Sequence, residues 1–196
     1  MKIIIFGGST TIGKGDPKDG GWAGRLRSRI EENDERDTVF ILGIPGETTQ
    51  GMRKRVSGEM DARGISSDDV CLVAVGMNDS RKREDGDNEI PLKDFTVNMK
   101  YILSCIRKRT EKILIIGPSK VDEKRTTPFR GNYYLNEEIM RYSRTLQKIC
   151  DENKIPFIDM TQKSPTPSRL KDGLHPVPSE HKNRFSLIYP KVKEMM

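Results

Sequence analysis

Lys2-Ile3-Ile4-Ile5-Phe6-Gly7-Gly8-Ser9-Thr10 sets an unbroken apolar run directly before two glycines and two hydroxyls. A short apolar run rich in Ile, with no polar alternation, suits a strand buried on both faces, as inside a parallel sheet. The glycines allow a sharp backbone turn where the strand ends, which leaves the Ser9 hydroxyl at the strand tip. Working outward from residues 2–6, further Ile- and Val-rich runs predict strands over residues 38–42, 70–75, 112–116 and 156–158. Between them, apolar residues recur at three- and four-residue spacing: Trp22, Leu26, Ile30; Met52, Val56, Met60; Leu92, Phe95, Met99, Ile102, Leu103, Ile106; and Leu135, Ile139, Tyr142, Leu146, Ile149. Each set makes one buried helical stripe.

Strands alternating with helices predict an α/β fold of three layers: a doubly wound, parallel, five-stranded sheet in the flavodoxin-like order 2-1-3-4-5. Pro91 suits the first turn of its helix and Pro178 the opening of the last one, whereas Pro190 is expected to end or kink that helix before Met196. No segment reads as a linker between two cores, so residues 1–196 are expected to form one domain.

The 35 Lys+Arg against 29 Asp+Glu give a net charge of +6, and the pI is near 9.2. The basic residues are dispersed, and residues 80–89 alternate in sign. That pattern reads as a solvated loop, since a nucleic-acid groove needs a one-signed stripe, and no nucleic-acid partner is expected. Cys71, Cys105 and Cys150 are an odd, widely spaced set that fits neither a disulfide framework nor zinc spacing, so they read as core residues. With two histidines in the chain, no metal site is expected, and no cofactor. The N-terminal apolar run is too short for a signal peptide and far too short to span a bilayer. A cytoplasmic location and no membrane span are therefore expected.

In doubly wound sheets ligands bind outside the carboxyl ends of the strands. Those ends carry Gly7-Gly8-Ser9-Thr10, then Gly43-Ile44-Pro45-Gly46-Glu47-Thr48, then Gly76-Met77-Asn78-Asp79. They offer a hydroxyl, a glycine amide that a substrate can approach, and a side-chain amide. Far along the chain, Asp172-Gly173-Leu174-His175-Pro176 sets a carboxylate three residues before a histidine, which one helical turn would bring side by side. His181, the other candidate base, has no Asp at that spacing. A phosphate cradle is the rival reading, because Gly8 to Lys14 has its glycine and lysine spacing. However, Gly15 stands where Ser or Thr should hold magnesium, and Asp16-Pro17 interrupts the helix that should begin there.

Together these blocks resemble, in chain order from Gly7 to Pro176, the SGNH hydrolases, also called the GDSL-type lipase and acylhydrolase family. The resemblance implies that Ser9 is the nucleophile, His175 the base and Asp172 its orienting acid. It assigns the oxyanion-hole roles to the Ser9 amide, Gly46 and the Asn78 side chain. It further implies a hydrolase acting on a small-molecule acyl ester, with esterase, lipase, lysophospholipase, thioesterase and carbohydrate deacetylase activities all left open by the resemblance. The family places Asp directly before the serine, where this chain has Gly8. The lost carboxylate is expected to loosen the nucleophile loop, with Glu47 or Asp79 as the groups that would compensate. Gly8 also leaves open a non-catalytic ester- or carbohydrate-binding member of the same fold. The expected pocket walls, residues 78–90 and 117–131, are polar and charged, which favours a short acyl group over a lipid tail.

Overall fold

Ile3, Ile4, Ile5 and Phe6 have no exposed surface. The computed structural model, which describes residues 1–163 and 165–196, explains why: β1 (Lys2–Gly7) pairs in parallel with a strand on each side. These are β2 (Thr38–Gly43) and β3 (Val70–Ala74); β4 (Ile113–Ile116) and the short β5 (Phe157–Ile158) follow. The sheet order is β2-β1-β3-β4-β5, every pairing parallel, as the strand pattern predicts.

Alternate side chains of each strand feed two core layers, because successive strand residues point to opposite faces. Ile3, Ile5, Leu72 and Leu114 pack against α1 (Gly21–Glu31) and α7 (Pro178–Lys193) through Trp22, Leu26, Ile30, Ile188 and Val192. On the other face, Ile4, Phe6, Cys71, Val73 and Ile115 meet α2 (Thr49–Ala62), α4 (Leu92–Arg107) and α6 (Asn136–Asn153). All three cysteines belong to this second layer, buried and unpaired. Burial pushes the Cys71 thiol far up and the Cys150 thiol to about 12, so both stay protonated and inert.

The predicted stripes account for the longer helices, and α2 begins where Thr48 Oγ1 caps the Gly51 amide at 3.4 Å. Two short helices, α3 (Met77–Ser80) and α5 (Glu123–Thr126), and a 3₁₀ turn at Pro167–Arg169 lie outside those stripes. Pro178 opens α7 as expected, while Pro91 sits one residue before α4 instead of within its first turn.

Pro190 does not end α7, which runs on to Lys193. Only one turn lies beyond it, and that turn carries Val192, wholly buried against the sheet. Burying a valine, worth about 1.5–3 kcal/mol, offsets most of the bond that a proline removes. Residues 83–87 are exposed, in keeping with a solvated loop, and Lys82 ties its base to Asn88 and Tyr133. Among the described residues no helix is long and apolar enough to cross a membrane.

Candidate active site

The chain leaves β1 at Gly7 and turns at once. Gly8 O accepts from the Thr11 amide at 3.1 Å and Ser9 O from the Lys14 amide at 3.0 Å. This winds residues 8–14 into a knot that presents Ser9 at the sheet's carboxyl edge. No helix opens here; the next one starts at Gly21, and Lys14 is exposed. The knot lacks the helix N-terminus that a phosphate cradle requires.

The loop then meets the C-terminal segment. Gly15 has φ +99°, and a Cβ there would lie 2.1 Å from Pro176 O and 3.7 Å from His175 Cβ. Only glycine permits this approach. It docks the His175 segment beside the loop after β1, so that Ser9 Oγ stands 2.9 Å from His175 Nε2. On the far side of the ring, His175 Nδ1 is 2.7 Å from Asp172 Oδ2.

Asp172 and His175 do not lie on a helical turn, contrary to the sequence expectation. Leu170 and Pro176 form an antiparallel bridge, Lys171 N donates to His175 O at 2.8 Å, and Gly173 takes φ +88° between them. A side chain at 173 would collide with Arg125 Cβ at 2.8 Å. A carboxylate reaches a residue three positions on through a tight hairpin as readily as through a helix. Asp172 Oδ1 accepts from the amides of Leu174 at 3.1 Å and His175 at 2.8 Å. Burial would raise the Asp172 carboxyl, but the bonds from the His175 amide and ring and the Leu174 amide outweigh it and hold it below the usual range. Asp172 therefore stays anionic and fixes the His175 proton on Nδ1, leaving Nε2 to accept from Ser9.

Asn78 reaches the same edge from α3. Its Nδ2 donates to Glu47 O at 2.9 Å and its Oδ1 accepts from Tyr134 Oη at 3.3 Å. A Cβ on residue 8 would be 3.2 Å from Asn78 Nδ2, so Gly8 leaves this amide close to the loop after β1. One amide hydrogen is engaged by Glu47 and the second remains. The Ser9 amide donates to no protein acceptor among the described residues. Gly46 sits exposed in the turn after β2, with φ +78°. It lies outside the pocket lining, although the next residue, Glu47, belongs to it.

Neither expected substitute for the missing acid at residue 8 takes up that duty. Glu47 pairs with Arg55. Asp79 is buried and accepts from Thr49 N at 2.8 Å and Thr49 Oγ1 at 2.6 Å, which ties α2 to α3. Its Oδ2 has no partner among the described residues. Burial pushes the Asp79 carboxyl up to about 6, against the lowering pull of the Thr49 bonds.

His181 is wholly buried and does not face Ser9. The Trp22 amide donates to its Nδ1 at 3.2 Å, and its Nε2 lies 3.0 Å from Lys14 O. It pins the loop after β1 and the start of α1 to α7. The strand-tip motifs give no signal for this residue, nor for the deeper pocket wall. That pocket runs from Ser9, Thr10 and Asn78 past Gly117 and Ser119 to Trp22, Met160, Arg184 and Ile188. Among the described residues no cluster of three or more His, Cys, Asp or Glu is arranged to hold a metal ion.

A sheet of this order with a hydroxyl, an imidazole and a carboxylate in line at its carboxyl edge defines the class of α/β acylhydrolases. The chain matches the model of the GDSL-like lipase/acylhydrolase family over residues 5–182, and it belongs to that family. It is 29% identical over 118 residues to the isoamyl acetate-hydrolyzing esterase of Saccharomyces cerevisiae, a match covering 54% of this chain and 49% of that protein. The chain thus spans about half the length of this curated relative. Among solved structures, it superposes on the lipase/acylhydrolase from Enterococcus faecalis with a TM-score of 0.80, at 23% identity, covering 98% of this chain and 95% of the other. It is also similar to an acetylxylan esterase from Geobacillus stearothermophilus, with a TM-score of 0.74 and 16% identity, covering 97% and 93% of the two chains.

Proposed function

We propose that this protein is a serine esterase that cleaves short-chain carboxylic esters through an acyl-enzyme on Ser9. The observation that carries this reading is the chain of contacts Ser9 Oγ to His175 Nε2 at 2.9 Å and His175 Nδ1 to Asp172 at 2.7 Å. A serine hydroxyl is too weak an acid to attack unaided, so His175 takes its proton as Oγ adds to the ester carbonyl. Asp172 holds the required tautomer and stabilises the imidazolium. Negative charge then builds on the carbonyl oxygen, where the Ser9 amide, the spare Asn78 hydrogen and the Gly46 amide serve as donors. His175 returns its proton to the departing alcohol. Water, activated by the same imidazole, then clears the acyl group.

Asn78, Gly117 and Ser119, the parts of the two polar loops that line the pocket, support a short acyl group. The matched relatives point the same way, since two of them are named for acetate esters. The substrate in this reading is a small-molecule ester, with residues 1–196 acting as one domain; three buried free thiols suit a reducing compartment such as the cytoplasm.

Two measurements test the proposal. A fluorophosphonate probe should label wild type and not Ser9→Ala. Across nitrophenyl esters from acetate to palmitate, kcat/KM should be greatest at the short end. Absence of Ser9 labelling would favour a non-catalytic binder, and a palmitate optimum would overturn the short-acyl assignment.

A further inference from the structure

Two charged side chains line the pocket beside Ser9, Glu47 and Arg184. Glu47 is neutralised by its ion pair with Arg55. Arg184 has no such match among the described residues. It projects from α7, is 7% exposed, and donates from Nη2 to Ser119 Oγ at 2.6 Å. Its Nε is buried without a partner among the described residues.

The nearest acid in sequence, Glu180, lies one turn earlier on α7 and attracts the guanidinium, but it does not pair with it. The Glu180 carboxylate is used by Asn183 Nδ2 at 3.1 Å and faces Arg169 at 3.6 Å. Burial pulls the Arg184 pKa down to about 10, with Glu180 opposing, so the group remains cationic at neutral pH. A buried guanidinium offers five N–H donors in a planar fork, and leaving one unmatched is costly. With Nε unmatched among the described residues, the fork has donor capacity to spare, and the residue lines the pocket beside Ser9.

The position of the site decides which half of a substrate meets it. His175 must hand a proton to the leaving alcohol, and His175 packs towards Phe129, with ring centroids 6.2 Å apart, outside the pocket lining. The alcohol accordingly departs on the Phe129 side. The acyl group, which stays on Ser9, occupies the pocket walled by Trp22, Ile116, Met160 and Arg184.

Building on the esterase reading, we propose that Arg184, with Ser119 as its support, binds a carboxylate at the far end of the acyl group. The preferred substrates are then short half-esters of dicarboxylic acids, and Arg184 sets that specificity. Guanidinium and carboxylate match as a planar bidentate pair, and Ser119 holds one edge of the fork in place.

The test compares monoethyl malonate, succinate and glutarate with neutral ethyl esters of matched length, following ethanol release by wild type. At least one half-ester should be favoured in kcat/KM by about 10- to 100-fold, the range expected of a buried charge-assisted pair. Arg184→Met should erase the preference, and Arg184→Lys should retain part of it. Should Arg184→Met fail to fold, inhibition of wild type decides: succinate should compete at least about tenfold better than its uncharged analogue succinamide. Equal handling of charged and neutral esters by wild type overturns the inference, as does a preference that survives in Arg184→Met. In both cases turnover of the neutral esters leaves the esterase reading standing. Failure to cleave any ester, together with no labelling of Ser9, would overturn both.

Discussion

The two histidines of this chain are both buried, yet they hold their protons on opposite nitrogens. His175 lies between a hydroxyl and a carboxylate, so Nδ1 carries the proton and Nε2 is left as an acceptor. His181 receives the Trp22 amide on Nδ1, and an amide can only donate, so its proton sits on Nε2 facing Lys14 O. Each ring joins the loop after β1 to the C-terminal region. The partners differ: those of His175 can give up and regain a proton, whereas those of His181 are backbone groups with fixed roles. One ring is arranged to change its charge and the other to avoid doing so. Burial, the largest influence on His181, pushes its pKa down to about 4.

The comparison breaks most sharply on activity. Ser9→Ala or His175→Ala should lower ester hydrolysis by about ten-thousandfold or more while leaving the thermal midpoint near that of wild type. Activity near wild type in Ser9→Ala would remove Ser9 from its role, and in His175→Ala it would remove His175. Asn78→Ala should cost about 100- to 1,000-fold in kcat, because it deletes one donor and leaves the others.

His181→Ala should show the reverse pattern. It orphans the Trp22 amide and opens a cavity beside α1, so denaturant unfolding should record a loss of about 3 kcal/mol. The folded fraction should keep its activity to within about a hundredfold. A catalytic collapse with unchanged stability would exchange the two assignments.

Acid titration sharpens the same contrast. The folded pKa of His181, about 4, is depressed below the ordinary 6.5. Its contribution is thus fully present above pH 6.5 and is lost as pH falls through about 4, a loss of up to about 3 kcal/mol that His181→Ala should not show. Asp79 works in the opposite sense. Its folded pKa of about 6 lies above the ordinary 3.8, so its contribution is present at low pH and is lost as pH rises through about 6. Asp79→Asn should therefore steepen the acid loss between pH 6 and 4 by about 1–2 kcal/mol, measured as the pH slope of unfolding. A slope unchanged by either substitution would remove these groups from the acid response.

The sheet was legible because its determinants are local. The short, Ile-rich apolar runs at residues 3–6 and 113–116 suit strands buried on both faces, and the helical stripes follow from their spacing. Ser9, Asn78, Asp172 and His175 could be singled out because strand-tip chemistry and the Asp172-to-His175 spacing survive in a linear string, and the family resemblance attached their expected roles. What failed to show depends on contacts distant in the chain. The persistence of α7 past Pro190 rests on the burial of Val192 against strands from the other end of the protein. The hairpin that presents His175 rests on Gly173 fitting beside Arg125, and the role of His181 on a bond to Lys14. Arg184 looks like any surface arginine until α7 is docked beside Ser119. Gly46 shows a different limit: its turn after β2 could be read from the string, but its exposed position at the margin of the pocket could not.

The three thiols have a practical consequence. Cys71, Cys105 and Cys150 sit on β3, α4 and α6, all in one layer, while the layer holding His181 and Arg184 has none among the described residues. Alkylation by a small maleimide therefore acts as a clock for the opening of that one side. Run beside the decay of turnover under mild denaturant, it tells whether the two halves of the molecule come apart together or in sequence.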